Sequence, residues 1–131
     1  MVTRYGRLAH IGATWLFVGG VLYQGYLAGQ ALAQLGGNGD FTAHAGFGYS
    51  VLGILALAVL ITALVGREPR RQVGLSIALL VLYVVQASLP PLRASAPAIA
   101  ALHPANAMLL LVLAVVVAWR ASQIGATVPT S

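Results

Sequence analysis

Few side chains in this sequence can do chemistry. It holds three histidines, two acids, seven arginines and no cysteine, so thiolate ligands and disulfides are excluded. Polar groups inside apolar helices are costly and mark functional positions. Here they are His10, Gln24, His44, Gln86, His103 and Asn106. His44 and His103 each open an apolar segment, followed four residues later by Gly48 and Ala107, on the same helical face. Two imidazoles at one depth on opposed helices are suited to ligate a haem iron from opposite sides. Small residues below them leave room for a ring, over an apolar lining of Val51, Leu55, Leu110 and Ala114. Arg93 is the one cation available to propionates at that end, and Asp40 is placed to cap a helix or orient the His44 imidazole. A Zn or Cu site with Asp40 as third ligand is the alternative metal chemistry. The bland alternatives are interfacial histidines, with Gln24 and Gln86 as interhelical hydrogen-bond glue and Asn106 bonding a carbonyl freed by Pro104.

The elements that position these residues are membrane helices. With 60% hydrophobic and 7% charged residues, and a mean hydropathy of +0.90, the 131-residue chain lacks the charge to cover a water-facing surface. A span needs about 20 apolar residues. Four segments qualify, at about 8–32, 41–65, 73–89 and 98–119, separated by turn-forming stretches at 36–40, 66–71 and 90–93. The first apolar run is too long for a signal-peptide core. Arg4, Arg7, Arg67, Arg70, Arg71 and Arg120 fall on one side and Arg93 on the other, so the positive-inside rule makes both termini cytoplasmic. That distribution, rather than nucleic-acid binding, accounts for the net charge of +5. The expected architecture is an all-α, transmembrane four-helix up-down-up-down bundle. It forms one domain, 1–121, with a frayed cytoplasmic tail at 122–131. The fourth helix starts either near Ala98, with Pro104 as a kink, or at His103 itself; the apolar stretch Ala98–Leu102 favours the longer form. Both halves run through a polar loop into a histidine-led helix, but no fuller internal repeat is read.

Four stretches, Tyr23-Gln-Gly-Tyr-Leu-Ala-Gly29, His44-Ala-Gly-Phe-Gly48, Gln86-Ala-Ser-Leu-Pro90 and Leu102-His-Pro-Ala-Asn-Ala107, resemble a family of small four-span bacterial membrane proteins of unknown function. The resemblance runs from about Arg7 to Trp119 and implies no activity. More loosely, the histidine-bearing parallel helices are similar to four-helix b-type cytochromes and haem A synthase. Those proteins commonly carry histidines for two sites, whereas His10 here has no histidine partner.

The expected function is therefore a membrane-embedded haem b protein of the plasma (inner) membrane. Its iron is ligated by His44 and His103, with Gly48, Ala107, Gln24, Gln86, Asn106 and Arg93 around it. A bis-histidine iron has no open position, which favours electron transfer with a membrane redox partner or quinone. A structural or accessory subunit without cofactor is the competing expectation, and a homo-oligomer is compatible with either. Enzyme chemistry is not expected: Ser50, Ser76 and Ser88 have no Asp–His partners, and the acids Asp40 and Glu68 sit in loops on opposite sides. A transporter is disfavoured because no acid lies within a span.

Overall fold

Apolar runs of this length satisfy their backbone polar groups within helices, and helices are what form. A computed structural model describes residues 2–126. Helix α1 spans Val2–Ala31, α2 Thr42–Val65, α3 Arg70–Ser88 and α4 His103–Ala126. The α1–α2 connection turns on Gly36 and Gly39, whose φ of 88° and 81° suits glycine. The α3–α4 connection passes through short helical turns at Pro90–Arg93 and Pro97–Ala100. The longer form of the fourth helix is interrupted at 101–102, and α4 restarts at His103 with Pro104 in its first turn. Proline there lacks only an amide that would be unsatisfied anyway, and it disfavours helical geometry in the residue before it. The frayed tail expected from Ser122 lies partly within α4 and otherwise outside the described residues.

Each helix packs on two neighbours: α1 on α2 and α4, and α3 on the same two, which leaves α2 and α4 facing across the bundle. The core is Phe17 and Val18 from α1, Leu52, Ala56 and Val59 from α2, Leu79 from α3, and Leu110, Ala114, Val117 and Ala118 from α4. Outside it the surface is apolar: Leu16, Ile54 and Val112 are 64%, 70% and 63% exposed. An apolar surface this continuous has lipid as its solvent. Three segments, Thr42–Val65, Arg70–Arg93 and Pro97–Ile124, are long and apolar enough to cross a membrane. The expected fourth, α1, is the longest helix but is not among them, because its glycines, tyrosines, His10, Thr14 and Gln24 dilute its hydropathy.

An internal repeat is visible once burial is known. The inward stripe of α1 is His10, Thr14, Phe17, Val21, Gln24, and that of α3 is Gln72, Ser76, Leu79, Tyr83, Gln86, at the same spacing. In α2 and α4, Leu52, Ala56, Val59 and Ala63 match Leu110, Ala114, Val117 and Ala121. His44 matches His103 only if α2 holds one extra residue. That residue is accommodated by a π-helical turn at Phe47–Val51, where each turn is wider than in an α-helix. The chain is thus two equivalent hairpins, α1–α2 and α3–α4, wrapped around each other.

Candidate functional site

At the end of the bundle that carries the α1–α2 loop, each hairpin latches a histidine to a glutamine. His44 Nδ1 lies 3.2 Å from the Gln24 carbonyl, and Gln24 Nε2 donates back to the His44 carbonyl at 2.7 Å. In the second hairpin His103 Nδ1 lies 3.2 Å from the Gln86 carbonyl. A carbonyl only accepts, so both imidazoles carry their proton on Nδ1 and leave Nε2 as the basic nitrogen. The two rings meet edge to face across the bundle, with centroids 6.2 Å apart and planes at 75°. Among the described residues nothing bonds His44 Nε2, whereas His103 Nε2 accepts from the Gln86 side-chain amide at 3.2 Å. Asn106 holds that amide in place, donating to Gln86 Oε1 at 2.7 Å and to the Leu82 carbonyl at 3.2 Å.

The π-turn directly below His44 is braced from both sides. The Tyr83 hydroxyl reaches the carbonyls of Gly48 at 3.0 Å and Tyr49 at 3.2 Å, and the Tyr49 hydroxyl donates to Ala87 on α3. Two glycines make this approach possible. A Cβ on Gly48 would come 2.6 Å from Gln24 Nε2, and one on Gly53 would come 2.8 Å from the Tyr83 hydroxyl. Gly48 therefore faces the Gln24 amide of α1. Of the expected apolar lining, Leu110 and Ala114 are buried in the core, while Val51 and Leu55 border a groove between α1 and α2 with Gly12, Trp15 and Tyr23. Ala107 is half-buried on α4, and Arg93 is exposed on the turn after α3.

Asp40 accepts the Thr42 amide at 2.8 Å and opens α2; its contacts with Thr42 hold its carboxyl below the usual range. Phe41, rather than Asp40, touches His44, with ring centroids 5.9 Å apart. Among the described residues no three His, Asp or Glu side chains converge, so the expected Asp40-assisted zinc or copper site is not assembled.

The opposite end holds a second polar centre that the list of span residues captured only through His10. His10 is fully buried, with Nδ1 at 3.1 Å from the Val59 carbonyl and 3.2 Å from the Thr62 hydroxyl. Gln72, also fully buried, donates from Nε2 to the Val117 carbonyl at 2.9 Å and to His10 Nε2 at 3.0 Å. One contact thereby ties all four helices, and the two donors are equivalent positions of the repeat. Glu68 is buried beside Gly66 and Arg7, and burial pushes its carboxyl above the usual range, partly offset by the Arg7 charge. The helical spacing of Gln72, Ser76, Tyr83 and Gln86 is the signal that would have found this stripe.

The sequence model of a family of unknown function, DUF6220, matches residues 24–93, just over half of the chain. The chain belongs to that family. The DUF6220 match takes in Gln24, His44, the π-turn, Glu68, Gln72 and Gln86, and ends before His103. No curated protein and no solved structure matches the chain.

Proposed function

We propose that this protein is a four-span, up-down-up-down bundle of the inner (plasma) membrane that binds one b-type haem between His44 and His103 and carries electrons. The observation that carries the reading is the facing pair of imidazoles. His44 and His103 would hold the iron, since their ring centroids, 6.2 Å apart, lie within reach of one metal ion between them. Each ring is also supported in the way a ligand needs, with Nδ1–H held by a backbone carbonyl; His44 Nε2 has no partner among the described residues, and His103 Nε2 accepts only the Gln86 amide. Haem would supply one-electron chemistry, and two protein ligands leave no position for oxygen.

The membrane arrangement rests on three supports. At 30 residues, α1 is about 45 Å long, more than a bilayer core of about 30 Å requires. Its exposed Leu8, Leu16 and Leu22 extend the lipid-facing surface, while His10, Thr14 and Gln24 are bonded inward or within the helix. Six arginines gather at the His10 end and Arg93 stands at the other, which by the positive-inside rule supports cytoplasmic termini and a His44–His103 pair near the outer face.

One contact favours a second reading. The Gln86 amide on His103 Nε2 makes a complete hydrogen-bonded latch, as an accessory subunit without cofactor would use to hold its helices. Haem binding requires that amide to turn away. Native mass spectrometry from mild detergent separates the two readings. A haem-sized increment on the wild type, absent from His44→Ala and from His103→Ala, supports the haem protein; wild type at the bare chain mass after growth with excess haem supports the latch.

A further inference from the structure

The end of the bundle opposite the histidine pair carries a hydrogen-bonding deficit that one proton would repair. Gln72 cannot be turned over: its Nε2 faces the Val117 carbonyl, and a flipped oxygen would meet that oxygen instead. Both amide hydrogens are therefore spent on Val117 and His10, and the side-chain oxygen Oε1 is buried with no donor. Glu68, four residues earlier, has its side chain 3% exposed, and its Oε2 is likewise buried with no partner. Two orphaned acceptors, one on a carboxyl, sit four residues apart across the Pro69 cap of α3, and their side chains reach Arg7 and His10, neighbours on one face of α1. An unpaired buried carboxylate oxygen is among the most expensive groups a protein can hold.

We propose that Glu68 is a proton-binding site, kept protonated in the folded protein and donating its proton from Oε2 to the carboxamide oxygen of Gln72. A single proton then satisfies both orphans. It turns Glu68 Oε2 into a donor, gives Gln72 Oε1 its partner, and extends a hydrogen-bonded chain from Glu68 through Gln72 and His10 to Val59 and Thr62 on α2.

The charges around the carboxyl oppose this. From α1, Arg7 Nε approaches Glu68 Oε1 to 3.9 Å but donates to the Gly66 carbonyl at 3.3 Å. Arg67 of the same turn and Arg70 and Arg71 at the start of α3 are exposed. From α4, Arg120 has a buried Nε with no partner. His10 lies beyond Gln72. Among the described residues only the Arg7 contact reaches ion-pair range, and at that distance it is weaker than the burial of the carboxyl, which drives Glu68 toward its neutral form.

Infrared spectroscopy of the full-length protein in liposomes reads the proton directly, because a protonated carboxyl has a carbonyl band that a carboxylate lacks. In a pH series that passes the ordinary glutamate value of 4.5, the wild type should keep such a band after a solvated glutamate has lost it. Glu68→Gln should lose it and Asp40→Asn should keep it. Gln72→Met should move the band to higher frequency, since the carboxyl loses its acceptor. No band in the wild type, as an ionised Glu68 paired with Arg7 or Arg120 would give, overturns the proposal. A band that survives in Glu68→Gln overturns it also, and one that stays put in Gln72→Met overturns the assignment of Gln72 as acceptor.

Discussion

Gln72→Met removes the contact that ties the four helices while nearly preserving side-chain volume. The variant loses two hydrogen bonds, to Val117 and to His10. Net contributions of about 0.5–1.5 kcal/mol each are usual, and buried bonds in membrane proteins average nearer 0.6 kcal/mol. His10 Nε2 also becomes a buried acceptor without a donor, a penalty of roughly 1–3 kcal/mol. The Glu68 carboxyl loses its acceptor as well, whereas the Val117 carbonyl, inside α4, can keep a bond within its own helix. The expected destabilisation is about 2 kcal/mol, roughly 30-fold in the unfolding equilibrium. Gln72→Ala should be worse, because it adds a cavity between four helices. Ser76→Ala should stay within about 0.5 kcal/mol, because its hydroxyl bonds only the Gln72 carbonyl of its own helix. In the double variant His10→Leu/Gln72→Met the two losses should be less than additive, since both partners of one contact are gone. Equilibrium unfolding in mixed micelles, followed by helical circular dichroism, measures all four. A Gln72→Met protein as stable as wild type, or one no worse than Ser76→Ala, would show that the Gln72 bonds do not hold the four helices together.

Other consequences are as direct. Gln86→Leu uncaps His103 Nε2 and should raise haemin affinity by up to about tenfold, the equivalent of one hydrogen bond of about 1.4 kcal/mol; weaker binding in a titration would mean that the amide supports the site instead of competing for it. Gly53→Ala should destabilise in the wild-type background, because the new Cβ meets the Tyr83 hydroxyl at 2.8 Å, and be tolerated with Tyr83→Phe; equal effects in both backgrounds, measured by thermal unfolding, would contradict the bracing of the π-turn. Burial raises Glu68 above its ordinary value of 4.5, so its stabilising effect is complete below that value and is lost as pH rises through the folded one. A pH series of unfolding midpoints should therefore fall for the wild type over that window relative to Glu68→Gln, and a wild type that gains stability there would reverse the sign.

Much of the helical layout is legible in the sequence, because bilayer thickness sets segment length and glycine, proline and charge punctuate the turns. Three of the four expected segments have the length and hydropathy of spans. The fourth, α1, falls short of that hydropathy because it carries His10, Thr14 and Gln24, bonded inward or within the helix, together with exposed tyrosines. The partners of the histidines could not be read so well. Gln24 and Gln86 were visible as polar groups in apolar helices, but that each glutamine's own backbone carbonyl, rather than its side chain, fixes the imidazole depends on packing. Gly48 read as space for a ring, and the structure has the Gln24 amide against it. The one-residue insertion at Phe47–Val51 leaves no local sign in the sequence, and it also hides the repeat by shifting α2 against α4. Gln72 is absent from the expected span residues because the apolar run starts at about Val73, whereas α3 begins at Arg70.

Whether His44 and His103 hold a haem iron, as proposed, is read from the reduced-minus-oxidised absorption spectrum of the purified protein, recorded before and after addition of one equivalent of haemin. Ligation by both histidines should give a low-spin spectrum with a sharp Soret band and split visible bands, saturating at one haem per chain and lost in His44→Ala and in His103→Ala. A colourless protein that takes up no haemin, or a low-spin spectrum that survives both substitutions, would contradict it.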